Sequence, residues 1–386
     1  MFHLPSIKTF ITSGDGRSQV VKKNIMGTFV LRITNIIISL LLVPATIGYV
    51  NADLYGVWLA LASIMTWLNF ADIGFTLGLK NKLAEALAKE DYSRGKALLM
   101  DFIRKMYAEH KPMGQAFHRQ AMDPFRLYMI VGGMPQAVKK YIETKDFEAV
   151  DAAKRDVLTI YRNDIFNYAG ELADKVVSIF DQIPSQLSKH EKKFRLSALK
   201  PGSKYRDWDD AFFWLKDARV VNICYNSTDP NIGLKMNEDR TTLKCYLNDT
   251  GLLISHAFDE KGIVSSEIYQ KLLFGKLEVN EGMLMENIVS QMLTAAGNKL
   301  FFYSKSSEDA EERMEIDFLI QKEKVTSRHN IRPTEVKSGK NYTLSSLTKC
   351  MKKFGEYMTT PTVLHAADYK VEDGVTYLPL YMTPLL

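Results

Sequence analysis

The sequence predicts an α/β protein with helical parts: a mixed sheet at the C-terminus, a mostly helical middle and an N-terminal transmembrane helical hairpin. Three observations carry this. Beyond residue 240, short β-branched and aromatic runs alternate with stretches of helical periodicity. From 101 to about 217 the chain reads mostly as helices, broken by a Gly-Gly-Met-Pro turn. Residues 25–71 hold two long apolar runs with hardly a charge. A chain of 386 residues has room for two or three domains, each with its own core.

Ile25–Val50 carries one charge, Arg32, and is long enough to span a bilayer, with Pro44 near one end. Asn51-Ala52-Asp53 interrupts it, and Leu54–Ala71 adds a second uncharged run bearing Trp58 and Trp67. Basic residues precede the first run (Lys8, Arg17, Lys22, Lys23) and follow the second (Lys80, Lys82, Lys89, Arg94, Lys96). The positive-inside rule then expects a hairpin through 25–71, in the inner (cytoplasmic) membrane with both ends cytoplasmic. A buried helical hairpin of a water-soluble domain is the alternative. The stretch L-Y-G-V-W-L-A-L-A-S-I-M-T-W-L-N-F-A-D-I-G-F-T-L-G-L-K-N-K-L-A-E-A-L-A, from Leu54 to Ala88, resembles the start of an oligosaccharide or polysaccharide flippase. Two spans cannot build an alternating-access cavity, so the resemblance implies a membrane fragment (1–100) and not a transporter.

The net charge of +5 is unevenly spread: residues 1–100 hold ten Lys/Arg against six Asp/Glu, the remainder forty against thirty-nine. A dedicated duplex-DNA binder shows a clear basic excess, which residues 101–386 lack. Cys224, Cys245 and Cys350 lie at spacings that match no zinc or disulfide framework and suit a reducing compartment.

In 101–169, an amphipathic helix leads through Leu127–Val131 into Gly132-Gly133-Met134-Pro135-Gln136-Ala137-Val138. Two glycines before Met-Pro break one helix, and Pro135 suits the first turn of the next. This segment resembles the part that follows the nucleotide-binding core in bacterial AAA-type ATPases. No G-x-x-x-x-G-K-[S/T] phosphate loop occurs in the chain, so no ATP site is found and the family's ATP hydrolysis does not carry over.

Residues 170–230 read as Leu172–Leu187, Leu196–Leu199 and Asp209–Lys216, then a strand at Val220–Tyr225. The order resembles a winged-helix region. Its candidate recognition helix, W-D-D-A-F-F-W-L-K-D, carries three aspartates against one lysine and suits an interaction module more than a DNA reader.

In 231–386, L-K-C-Y-L-N-D-T-G-L-L reads as strand then helix, with Asp249 and Thr250 shaping the turn. Helix Met283–Ala296 precedes strands at Phe301–Tyr303, Ile316–Ile320, Arg332–Lys337 and Thr362–His365, and helix Leu344–Tyr357 crosses between the last two. Side chains i and i+2 share a strand face, so Glu335 and Lys337 point the same way and Asp317 joins them if the strands pair. Two carboxylates and an ammonium suit metal-assisted phosphodiester hydrolysis; a salt-bridged strand pair is the bland alternative. Asp317 with Glu335-x-Lys337 resembles the core of PD-(D/E)XK, restriction-endonuclease-like folds, and the whole segment resembles the nuclease-like C-terminal domain of AAA-type ATPases. That resemblance implies Mg²⁺ held by Asp317 and Glu335, Lys337 assisting, and Glu286 as an auxiliary acid. Three functions arise as expectations: a Mg²⁺-dependent phosphodiesterase, a non-catalytic interaction or assembly module, or a flippase membrane fragment. The expected partners are the membrane through 25–71 and a DNA or protein molecule.

Overall fold

Strands β1 (Val221–Ser227), β2 (Glu238–Leu247), β3 (Phe301–Lys305), β4 (Met314–Gln321), β5 (Ile331–Val336), β6 (Thr362–His365), β7 (Lys370–Glu372) and β8 (Val375–Pro379) build one sheet. Their order is β2-β1-β3-β4-β5-β6-β8-β7. The β1–β3, β5–β6 and β6–β8 pairs are parallel and the other four antiparallel, so the sheet is mixed. This computed structural model describes residues 92–189, 191–258, 264–273, 281–322, 327–339 and 341–386. The chain divides into two units, Met1–Leu99 and Met100–Leu386. Nearly all of the first lies outside the described residues, and the sheet belongs to the second.

Helices α1 (Tyr92–Ala108), α2 (Gln115–Val131), α3 (Pro135–Thr144), α4 (Phe147–Tyr168), α5 (Ala173–Leu187) and α6 (Asp209–Asp217) precede the sheet in sequence. Helices α7 (Thr250–Ala257), α8 (Ser266–Leu273), α9 (Glu281–Ala295) and α10 (Ser345–Phe354) lie between its strands. Burial explains the packing. Helix α5 turns Val176, Ile179, Phe180, Ile183 and Leu187 inward at helical spacing, each fully buried. Helix α10 closes Leu347 and Cys350 onto a core made by Ile316, Leu319, Ile331 and Val363 from three strands.

The two glycine-bearing turns meet. Helix α2 ends at Gly132, with φ 85, and Pro135 opens α3 as expected. Asp249 caps α7 by accepting the Leu252 N–H at 2.8 Å, and its other oxygen accepts the Gly133 N–H at 2.6 Å. A Cβ on Gly132 would stand 2.4 Å from Asp249 Oδ1, and one on Gly251 would stand 2.5 Å from the Gly132 nitrogen. Gly-Gly-Met-Pro and Asp-Thr-Gly-Leu, over a hundred positions apart, therefore form one interlocked joint.

Two parts of the expected fold are corrected. Among the described residues no helix is long and apolar enough to cross a membrane, and the segment 25–71 lies outside them. The transmembrane hairpin, the membrane as partner and the inner-membrane placement with both ends cytoplasmic do not stand. An uncharged run of bilayer length is also what a buried helix presents, so length and apolarity did not decide between them. Nor does a winged-helix-like middle stand apart. Its expected strand is β1, which pairs with both β2 and β3 inside the main sheet. Its helices α5 and α6 contact β2 and β1 of that sheet, and Phe212 and Leu215 of α6 are buried.

Candidate functional site

Strand β4 places Glu315 and Asp317 on one face, and β5 carries Glu335 into Lys337 just past its end. Register Phe318↔Thr334 sets the two strands so that the Asp317 carboxylate reaches across and accepts the Val336 N–H at 3.0 Å. Helix α9 lowers Glu286, 4% exposed, toward the same place. All four residues expected from sequence line one cleft of about 1610 Å³: Glu286, Asp317, Glu335 and Lys337. Arg332 does not join them; its guanidinium donates to the Tyr107 hydroxyl at 3.0 Å.

The centre of the cluster is a residue to which the sequence assigns no role. Lys244 on β2 is fully buried. Because β1 and β3 lie between β2 and β4, its stem crosses their face, and its ammonium lies 5.1 Å from the Phe302 ring centre. It ends 2.8 Å from Glu315, 3.4 Å from Asp317 and 3.7 Å from Glu286. Burial pulls its pKa down, but Glu315, Glu286 and Asp317 outweigh that and hold it well above the ordinary lysine value. A second lysine, Lys192 from the loop after α5, lies 2.6 Å from the other oxygen of Glu286, and the Tyr246 hydroxyl donates to that carboxylate at 3.0 Å. Burial, then repulsion from Asp317, still push the Glu286 pKa up against those two lysines.

Glu335 is answered differently. Lys337 Nζ lies 2.6 Å from its Oε2. Burial dominates, Asp317 adds repulsion and Lys337 only partly offsets them, so the Glu335 pKa rises to about 7. Lys337 is pushed above its ordinary value because Glu335 outweighs the cost of burial.

A resident Mg²⁺ would need about six oxygen ligands near 2.1 Å in octahedral array. The space between Glu286, Glu315 and Asp317 already holds the Lys244 ammonium, and Lys337 closes on Glu335. No group of three His, Cys, Asp or Glu side chains among the described residues is arranged to hold a metal ion. A Mg²⁺ shared by Asp317 and Glu335 would have to displace the Lys244 and Lys337 ammonium groups that now lie against those carboxylates. What the sequence did show of Lys244 was one faint signal, a lone charge inside the apolar strand run L-K-C-Y-L.

Comparison with known families finds two matches. A family described as a domain of unknown function, DUF8612, matches residues 122–261, which include the whole Gly132–Asp249 joint. Another domain of unknown function, DUF4143, matches residues 281–382, which carry Glu286, Asp317, Glu335 and Lys337. No curated protein and no solved structure matches the chain. The C-terminal region is thus similar to DUF4143, a domain typically associated with AAA ATPase-like proteins.

Proposed function

We propose that residues 100–386 are a non-catalytic interaction module of nuclease-like architecture, of the kind joined to AAA ATPase-like proteins. The observation that carries this reading is Lys244. A fully buried ammonium shared by three carboxylates supplies internally the positive charge that a phosphodiesterase of this type takes from its metal. With Glu335 held by Lys337 as well, the acids act as partners of lysines and not as open ligands. A Mg²⁺-dependent phosphodiesterase is the second reading, favoured by the convergence of Glu286, Asp317, Glu335 and Lys337 on one open cleft.

Labelled single- and double-stranded DNA and RNA, incubated with the full chain and millimolar Mg²⁺ or Mn²⁺, decide between the two. The expected result is no cleavage above a protein-free control. Cleavage that disappears in Asp317→Ala, with thermal unfolding unchanged, would overturn the proposal and restore Asp317 and Glu335 as metal ligands.

A further inference from the structure

We propose that a second cleft, between α6, β1 and the end of α9, binds a single-stranded nucleic-acid segment by stacking a base on Phe213 and pairing phosphates with the surrounding lysines and arginine. This cleft measures about 940 Å³ and shares no lining residue with the acid cluster. It is therefore independent of whether that cluster is catalytic.

Charge is the first argument. Five cations line the cleft (Lys216, Arg219, Lys235, Arg240 and Lys299) against two acids, Glu238 and Asp249. Both acids are already engaged. Glu238 is bound by Arg240 at 2.7 Å, and Asp249 is buried, accepting N–H groups from Gly133 and Leu252. Lys216, Arg219, Lys235 and Lys299 are all exposed, and none enters an ion pair among the described residues. Lys216 lies over the Tyr225 ring, 5.3 Å from its centre. Partial burial of its stem and ammonium is the main cause of its lowered pKa; Glu238 pulls the other way, and Arg240 and Lys299 add smaller repulsions.

The aromatic component is the second argument. Phe212 is sealed in the core, while its neighbour Phe213 turns outward with 68% of its surface exposed. Tyr128 lies on the same cleft, 40% exposed. A flat ring beside unpaired cations is the platform on which single-stranded bases stack while the backbone follows the charge. A duplex keeps its base faces covered and has none to offer Phe213.

Arg219, which lines the cleft, has φ 56, the left-handed helix-end conformation that Lys145 also adopts after α3.

Anisotropy of a short fluorescent oligothymidylate, titrated with the full chain, tests the proposal. The expected result is saturable binding that weakens as salt rises. Phe213→Ala should weaken it about 5-fold or more. The double variant Arg219→Ala/Lys299→Ala should weaken it at least about tenfold and flatten the log–log salt slope by about 1.4. Each of these side chains is exposed, so the fold does not depend on them. Lys352→Glu on α10, which lines neither cleft, should bind as the parent does. Absence of binding by the parent would overturn the proposal. So would an unchanged affinity in Phe213→Ala, or equal affinity for the duplex of the same sequence, either of which would leave only charge attraction.

Discussion

Lys244 and Glu335 show opposite ways of keeping a charge out of water. Lys244 is stabilised because three carboxylates surround it, so its removal strands them. Lys244→Met should lower the unfolding free energy in denaturant by about 3–5 kcal/mol, the range for deleting one partner of a buried ion pair. A loss below about 1 kcal/mol would mean that water already reaches the acids. Glu335 has too little compensation, and its pKa of about 7 exceeds the ordinary 4.5. The folded state therefore holds the Glu335 proton where the unfolded chain has released it. Between those two values stability falls as pH rises, and above about 7 the penalty is complete. Relative to Glu335→Gln, the parent should lose up to about 3 kcal/mol between pH 4 and pH 8; equal pH profiles for the two would contradict the burial argument. At this scale strand alternation and a short acid–lysine spacing were enough to single out the acid-cleft residues. Lys244 stayed hidden because its partners come from one distant strand and a helix, which no local spacing reveals.

Among the elements, the joint between α2–α3 and α7 is the most tightly constrained. Gly132→Ala combines a left-handed φ with a Cβ 2.4 Å from Asp249 Oδ1, so the Asp249 cap must move. A loss of at least about 2 kcal/mol in thermal or denaturant unfolding is expected. Gly297→Ala is the matched comparison: its φ is 90 but nothing lies within 4 Å, so only backbone strain of about 1 kcal/mol applies. If both variants lose the same amount, the contact with Asp249 contributes nothing. Both turns were legible in the sequence, as were the places of Pro135 and Asp249 at helix starts. Their meeting was not, since it depends on two helices docking more than a hundred residues apart.

For the whole molecule, element types were easier to read than their order. Strands in 301–365 and helices α5, α6 and α9 follow from periodicity and appear within a few residues of their expected bounds. The neighbours of β1 did not follow, because a fully buried strand looks the same wherever it is inserted. Strands β7 and β8 were missed: β7 is three residues long and β8 ends in Leu-Pro, too little for an alternation to show. The placement of β1 governs how the chain reaches its native state. Tyr225 and Asn226 pair in parallel with Phe301 and Phe302, which leave the ribosome much later. Until then the β1 edge of the β1–β2 hairpin is unpaired and its apolar face lacks β3 beside it. Long loop closure before any reward makes such pairing slow, so refolding of residues 100–386 should be limited by this step and not by the helices, which form on far shorter timescales. A nascent chain halted before residue 301 would expose a sticky strand edge, and holding that edge until its partner arrives is work for a chaperone.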